Sequence, residues 1–422
     1  MQKTRAVMAF LLGAIFAIGP GAVSDARANE DPSFQKLVAG NNAFAVDLYR
    51  QLGSAEGNLF FSPYSISTTL AMTYAGARGE TETQMARGLR FTLAQDELHA
   101  ALSRLRAPLN EVQKKGNVQL LIANSLWPHK AYPFRKDFLS AVEKNYSAPV
   151  TSLDYAKETE KARRTINRWV EDQTKNLIKD LIGPGVLDDS VRLVLASAIY
   201  FKGKWEKEFK KEQTRPLPFH FSALKALDRP MMQQTATLAY YADEEVQVLE
   251  MPYRGKEIAL LAILPRRIDG ITNVEKGLDA EKLDRWIRGM KPQSVEIRFP
   301  KLKMKSKLDL RKTLEALGMT DAFKPNPNSN CAGGASAGGG YADFSGMDGT
   351  RCLYIGFAVH QAFVELDEEG TTAAAATGIG IVTTTSVHRR QQFRADHPFL
   401  FLIRDRATGS ILFMGRVADP GV

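Results

Sequence analysis

Apolar residues early in the chain recur at the intervals of amphipathic helices. The first series begins at Phe34 and stops at Gly53, a residue suited to the end of a helix. After a short apolar run, Leu59–Phe61, the pair Ser62-Pro63 joins a capping side chain to a proline in the first turn, which predicts a second helix. Residues 162–181 carry a third apolar series with a charged outer face, and predict another long helix.

The second half of the chain has shorter apolar runs that are bounded by turns and rich in β-branched and aromatic residues, the pattern of strands. These runs cover residues 193–201, 258–264, 295–299, 354–366 and 399–403. Thr408-Gly409-Ser410 separates the last run from residues 411–414, so the chain is predicted to finish in a hairpin. The sequence therefore predicts a mixed α+β fold, with helices early and sheets late.

The middle of the chain has no Pro-rich, Ser-rich or single-charge linker, which favours one large domain. Residues 325–340 stand apart, because two prolines and five glycines there predict an irregular surface insertion.

The N-terminus has the pattern of a signal peptide. Lys3 and Arg5 precede an apolar stretch that is too short to span a membrane, and Ala26-Arg27-Ala28 matches a cleavage site. We expect removal of residues 1–28, a single domain at residues 29–422, and a soluble protein that is secreted into an extracellular or periplasmic space.

The formal net charge is +9, or about +7 without the predicted leader. This balance weakly favours polyanion binding. The sharpest candidate is a row of lysines at every second position, which places them on one face of a strand: Lys301, Lys303, Lys305 and Lys307. The alternative is an ordinary solvated strand face.

Cys331 and Cys352 are the only cysteines. Export favours a disulfide between them, and closing a loop of about 20 residues contributes roughly 3 kcal/mol in the chain-entropy model. Two separate thiols are the alternative. Two cysteines without nearby histidines cannot complete a zinc site, so we expect no metal and no cofactor.

Six separate motifs along the chain resemble landmarks of the serpin family. They are residues 58–66 (NLFFSPYSI), 200–205 (YFKGKW), 249–253 (LEMPY), 299–301 (FPK), 342–347 (ADFSGM) and 396–401 (DHPFLF). The resemblance implies a mixed α+β serpin fold of about nine helices and three β-sheets. It also implies a monomer that is not an enzyme, with an exposed reactive-centre loop at residues 369–392.

In this family the loop is the bait for a serine protease. The protease cuts it and becomes an acyl-enzyme, and the cut loop then inserts into the main sheet and distorts the protease. The resemblance places the hinge of this loop at Glu368, Glu369, Gly370, Thr371, Thr372, Ala373, Ala374, Ala375, Ala376 and Thr377.

The composition of the hinge suits insertion. Every side chain from Thr371 to Thr377 is small, and no proline occurs between Gly370 and Thr384, so each backbone N–H there can join a ladder. Alternate residues of an inserting strand would be buried, and none of them is charged: Thr371, Ala373, Ala375, Thr377, Ile379 and Ile381.

Counting along the family's hinge register from Glu368, and back from Pro398, places the scissile bond between Thr384 and Thr385. The small residues before it favour an elastase-like or subtilisin-like protease over a trypsin-like one. A shift of one to three residues would present Thr383, Ser386 or Val387 instead.

The resemblance also assigns two regions that control the opening of the main sheet, a polar shutter and a packed breach. The shutter falls on Ser62, Ser65, Ser197 and His360, with serine at position 197 where asparagine is usual. Because serine is shorter than asparagine, we expect a looser network. The breach falls on Gly203, Trp205 and Lys301, and Lys301 is expected to form a near-surface ion pair with Glu368.

The sequence offers two alternatives to protease inhibition. Residues 334–338 match the G-x-S-x-G elbow of hydrolases, but they lie in the Gly-rich insertion without the flanking strand and helix that the elbow needs. The stronger alternative is a non-inhibitory serpin that acts as a binding, chaperone-like or scaffolding protein. Such relatives usually have bulky, charged or proline-containing hinges, and this hinge has none.

Overall fold

The computed structural model describes residues 31–146, 148–327, 340–370 and 390–421. These ranges contain ten α-helices and two β-sheets, which agrees with the mixed α+β class. The helices are α1 (Pro32–Leu52), α2 (Pro63–Tyr74), α3 (Gly79–Gly88), α4 (Gln95–Lys114), α5 (Lys136–Tyr146), α6 (Thr159–Gln173), α7 (Ile271–Lys276), α8 (Ala280–Gly289), α9 (Arg311–Ala316) and α10 (Ser345–Asp348).

The strands lie mostly in the second half of the chain. They are β1 (Leu59–Phe61), β2 (Val118–Pro128), β3 (Leu193–Gly203), β4 (Arg215–Ser222), β5 (Lys225–Ala242), β6 (Val246–Pro252), β7 (Ile258–Pro265), β8 (Lys291–Pro300), β9 (Leu302–Asp309), β10 (Val359–Leu366), β11 (Gln391–Arg394), β12 (Phe399–Asp405) and β13 (Ile411–Val417).

Local sequence signals explain where the first helices begin. The Asp31 side chain accepts a hydrogen bond from the Ser33 N–H at 2.9 Å, and Pro32 opens α1. Ser62 does the same for α2, accepting from the Ser65 N–H at 3.1 Å. Helix α2 is buried along its whole length, so it lies inside the molecule and supports the sheets around it.

The predicted helix over residues 162–181 is wrong beyond Gln173. Lys175 and Asn176 have φ angles of 52° and 61°, which a right-handed helix cannot contain. The predicted strand over residues 354–366 begins only at Val359, because the preceding segment pairs elsewhere: the Ile355 N–H donates to the carbonyl of Ala322 at 2.8 Å.

The smaller sheet has the order β2-β3-β10-β9. Its central neighbours, β3 and β10, run parallel, and their pairing extends only from Ser197 opposite His360 to Phe201 opposite Val364. Strand β3 pairs with β2 over its entire length, antiparallel. One long-range interface in this sheet is therefore much shorter than the others.

The larger sheet has the order β1-β13-β12-β7-β6-β5-β8-β11, with β4 on the side of β5. The expectation of three sheets is wrong for the described residues, and β5 is the reason. This 18-residue strand pairs with β4 from Lys225 to Met231, with β8 from Met231 to Tyr240 and with β6 from Ala239 to Ala242. It therefore joins two of the expected sheets into one.

Aromatic packing joins the sheets in the core. The ring of Phe60 stacks between Phe401 and Phe413, at centroid distances of 5.8 and 5.3 Å, and Phe201 meets Phe413 at 5.6 Å. Within the described ranges, no helix is both long enough and apolar enough to cross a membrane.

A buried carboxylate ties β6 to the C-terminal hairpin. Glu250, 3% exposed, accepts two hydrogen bonds from Arg404 at 2.9 and 2.6 Å and one from Arg406 at 2.9 Å. Removing one member of a buried ion pair leaves an uncompensated charge, which is more costly than the pair itself is stabilising.

We predict that Glu250→Ala lowers the free energy of unfolding by about 3 kcal/mol, because Arg404 loses its partner while largely buried. Urea denaturation followed by circular dichroism measures the change. Glu143→Ala, at an exposed position of α5, is the control and should change it by less than about 0.5 kcal/mol. Equal effects of the two variants would contradict this account of Glu250.

Candidate functional site

The chain leaves the smaller sheet at a tight turn after β10. Gly370, at the end of that turn, has a φ of 87°, and a Cβ there would lie 2.3 Å from the carbonyl oxygen of Gly203 and 2.4 Å from the nitrogen of Trp205. Only glycine fits both constraints. The remaining hinge residues, Thr371 to Thr377, and the predicted scissile pair, Thr384 and Thr385, lie outside the described residues.

Three hydrogen bonds clamp this turn to the segment that follows β3. The Trp205 N–H donates to the Glu369 carbonyl at 3.0 Å, and the Phe209 N–H donates to the Glu368 carbonyl at 2.8 Å. The Trp205 indole N–H donates to the Asp367 carbonyl at 2.9 Å. The start of the hinge is therefore ordered and attached before the loop begins.

Two ion pairs hold two of the three acidic residues of the turn, Glu368 and Glu369. Lys301 Nζ lies 3.0 Å from Glu368 Oε2, and Lys211 Nζ lies 2.6 Å from Glu369 Oε1. Glu368 is only 5% exposed, so the expectation of a near-surface pair is wrong for the carboxylate. Burial alone would raise the pKa of Glu368, but hydrogen bonds from Thr214 and Lys301 outweigh it and lower that pKa.

The predicted breach residues Gly203, Trp205 and Lys301 surround this turn. The Trp205 ring stacks on Tyr253 with a centroid distance of 4.6 Å, and a Cβ on Gly203 would lie 2.7 Å from the Tyr253 ring. Glycine at position 203 thus lets the aromatic pair lie against the strand. The structure brings all three residues to the place where the loop leaves the sheet.

The four predicted shutter residues form one buried cluster. The Ser62 N–H donates to His360 Nε2 at 3.0 Å, and the Ser62 hydroxyl donates to the Leu412 carbonyl at 2.6 Å. The Ser65 and Ser197 hydroxyls are 3.0 Å apart, and Ser197 Oγ lies 3.4 Å from His360 Nδ1. The cluster links α2 to the short β3–β10 pairing.

Sequence reasoning missed Asn124, which belongs to this cluster. Asn124 lies opposite Ser197 in the β2–β3 ladder, and its side-chain oxygen accepts a hydrogen bond from the Ser65 hydroxyl at 3.0 Å. The cluster therefore does contain a side-chain amide, but the amide comes from β2 and not from position 197. A polar residue within the apolar run of β2 was the signal that could have indicated it. A cavity of about 30 Å³ adjoins Ser197 and His360, which is room for one water molecule.

His360 is neutral and its tautomer follows from its partners. Because Nε2 accepts from a backbone N–H, the ring proton is on Nδ1 and faces Ser197 Oγ. Complete burial lowers the pKa of His360 to about 3.

The lysine row and the cysteine pair stay predictions. Lys303, Lys305 and Lys307 share the exposed face of β9, but Lys303 is 3.5 Å from Glu365 and Lys307 donates to the Asp180 carbonyl. Cys331 lies outside the described residues. Among the residues described, no cluster of three or more metal-ligating side chains occurs.

Acid should weaken the fold through His360. Its folded pKa of about 3 lies below the ordinary 6.5, so the unfolded chain binds more protons in that window and stability falls as pH drops through it. Between pH 7 and 4.5, His360→Gln should remove about 2 to 3 kcal/mol of this pH-dependent loss. Urea titrations at both pH values measure it.

Burial also lowers the pKa of His99, to about 4. His99 therefore contributes the same pH-dependent loss of stability to the wild type and to His360→Gln. An unchanged difference between the two pH values in His360→Gln would show that His360 is not the titrating group.

The Lys301–Glu368 pair should keep the sheet closed. Glu368→Lys places a second cation in a buried site beside Lys301, so we predict a loss of about 2 to 4 kcal/mol in unfolding free energy and more loop–sheet polymer on warming. Glu365→Lys is the matched control, since Glu365 meets Lys303 at an exposed position and should cost less than about 1 kcal/mol. Native gels after heating measure the polymer, and thermal melts measure the loss of stability. Equal behaviour of the two variants would refute the claim.

Comparison with solved structures finds the same architecture. The maspin crystal structure matches with a TM-score of 0.83 at 26% identity, covering 92% of this chain and all of that one. Uncleaved ovalbumin matches with a TM-score of 0.78 at 29% identity, covering 91% and 100%.

Curated relatives correct the predicted localisation. The leukocyte elastase inhibitor of Xenopus laevis is 39% identical over 395 residues, which is 92% of this chain and all of the relative, and that of Homo sapiens is 38% identical over 397 residues. The prediction of a secreted protein conflicts with these relatives, which are intracellular serpins without signal peptides, and is withdrawn. It came from the composition of residues 1–28 alone, which lie outside the described residues and supply no packing to test it. The disulfide between Cys331 and Cys352 stays a prediction, without the support of an oxidising compartment.

A family profile decides the classification. The profile described as "Serpin (serine protease inhibitor)" matches residues 39–420, which include both sheets, the breach and the shutter. This chain belongs to the serpin family.

Proposed function

We propose that this protein is a suicide inhibitor of serine proteases. The protease serine attacks the carbonyl carbon of Thr384, the bond to the Thr385 nitrogen breaks, and an acyl-enzyme ester forms. The freed loop then inserts between β3 and β10 and carries the acylated protease with it. In this reaction the protein is the substrate and the protease is the catalyst that becomes trapped. The inhibitor acts as a single domain of residues 29–422, with its reactive loop at residues 369–392.

The parallel pairing of β3 and β10 is the observation that carries this proposal. A turn closed by the hydrogen bond from the Gly370 N–H to the Asp367 carbonyl, at 3.1 Å, follows β10 directly. In this proposal the residues after the turn come back and enter the gap antiparallel to both strands. About a dozen new backbone hydrogen bonds would form, each worth roughly 0.5 to 1.5 kcal/mol net. The short ladder between Ser197 and Phe201 on β3 is what insertion would have to break first.

The favoured partner is an elastase-like or subtilisin-like protease. Small side chains before Thr385 suit a narrow specificity pocket, and relatives of this chain are named for the inhibition of leukocyte elastase. In the same proposal the shutter and breach residues control how readily the sheet opens.

Incubation with a panel of serine proteases tests the function. We expect a one-to-one complex that survives denaturing gels, and a released fragment whose N-terminal residue is Thr385. Complete turnover of the protein as a plain substrate by every protease would refute inhibition and favour a non-inhibitory binding role.

The hinge offers a sharper prediction. Thr371→Arg places a charge on the first side chain to be buried, at a cost of several kcal/mol, so insertion should slow while ester hydrolysis continues unchanged. The ratio of inhibitor consumed to protease trapped should rise. Thr372→Arg, on the opposite face of the inserting strand, is the matched control and should change the ratio less. A wild-type ratio in Thr371→Arg, with cleavage still at Thr384, would mean that trapping does not need hinge insertion.

A further inference from the structure

The smaller sheet leaves one edge of β3 open at residues 193–196. The β3–β10 ladder begins only at Ser197, and among the described residues the earlier part of β3 pairs with β2 alone. The segment before β10 does not close this edge, because the Ile355 N–H donates to the Ala322 carbonyl instead. A cavity of about 380 Å³ lies there, and most of its walls are apolar: Leu193, Leu195, Phe344, Met347, Leu353 and Phe357. Its size and walls suit a small molecule.

One buried polar group on the cavity wall lacks a partner. Thr73, on α2, lines the cavity and is only 2% exposed, yet its hydroxyl makes no hydrogen bond to any residue that the structure describes. A buried hydroxyl without a partner is costly, and an occupant that hydrogen-bonds to it removes that cost. The cavity therefore suits a ligand with a polar group better than a pure hydrocarbon.

Arg192 is the one charged side chain among the described residues that line the cavity. Its Nη1 donates to the carbonyls of Asp189 and Val191, at 2.8 and 3.2 Å, and no ion pair involves Arg192 within the described ranges. Burial and the neighbouring Asp348 raise the pKa of Tyr132, another lining residue, to about 12, and the positive charge of Arg192 opposes them. Arg192 thus places a cation without a carboxylate partner beside Tyr132.

Two carboxylates in this neighbourhood already have hydrogen-bond donors. Asp348 accepts from the Tyr132 hydroxyl at 2.5 Å, and Asp188 accepts from the Ser190 N–H at 2.9 Å. Neither of them lines the cavity, and neither forms an ion pair with Arg192 in the part of the chain that the structure describes. The charge that the cavity presents to an occupant is therefore positive.

We propose that this cavity binds a small apolar molecule that carries one negative charge. The apolar body lies against the side chains of Leu195 and Phe357, and the anionic group lies at Arg192. A guanidinium holds an anionic oxygen through charge-assisted hydrogen bonds, which are about twice as strong as neutral ones. Binding needs only the folded protein, so this inference does not depend on the proposed function.

Two fluorescent probes with the same ring system test the site. Anilinonaphthalene sulfonate is anionic, and phenylnaphthylamine is neutral. Titration of the full chain should show a saturable site for the anionic probe. Arg192→Gln should weaken the binding of the anionic probe about tenfold or more, and that of the neutral probe by less than about twofold. Retained binding of the neutral probe would also show that this variant is folded.

A second variant and a matched control locate the effect. Leu193→Trp fills the cavity and should weaken both probes. Arg164→Gln removes the same charge at an exposed position of α6 and should weaken neither. Equal weakening of the anionic probe by Arg164→Gln and Arg192→Gln would overturn the proposal, because net charge alone would then explain it. Unchanged affinity in Arg192→Gln, unchanged binding of both probes in Leu193→Trp, or binding to the wild type that never saturates would each overturn it as well.

Discussion

The short parallel contact between β3 and β10 is the constraint on which the rest of this structure depends. Strand β3 is bonded to β2 throughout its length, and β10 to β9, so the smaller sheet, as far as the structure describes it, has one short seam between two longer ladders. The features assigned to control the sheet lie at the two ends of this seam. At one end the hinge turn is clamped to Trp205 and Phe209, and at the other the serine–histidine cluster joins the seam to α2.

Buried polar groups give both ends of the seam their expected influence on how readily β3 and β10 separate. Glu368 is buried in a charged form, because Thr214 and Lys301 stabilise it, whereas His360 is buried in its neutral form and has no carboxylate partner among the described residues. Each group is costly to leave unpaired in a low-dielectric interior. Opening the seam would expose or re-pair these groups, so small changes in their partners are expected to alter the barrier to opening far more than surface charges do.

Local signals in the sequence predicted the local structure well. The capped start of α2 and the final hairpin both follow from residues within a few positions of one another, and the structure has both of them. Nonlocal features could not be obtained in this way. The fusion of two expected sheets depends on the continuity of β5, and the place of Asn124 depends on its register with Ser197. The helix end at Gln173 was missed because positive φ angles at Lys175 and Asn176 arise from the turn that follows.

A reversible disulfide across the seam tests most directly whether β3 and β10 must separate for the protease to be trapped. Ala198 and Gln361 are directly opposite in the β3–β10 ladder, within the separation that a disulfide can bridge, so Ala198→Cys/Gln361→Cys can be closed by oxidation and opened by reduction. The oxidised protein should still be cleaved by the protease yet form no stable complex, and reduction should restore trapping. The single substitutions Ala198→Cys and Gln361→Cys, treated in the same way, control for redox effects elsewhere, including those at Cys331 and Cys352. Equal trapping by the oxidised and reduced double variant would contradict the claim that β3 and β10 must separate.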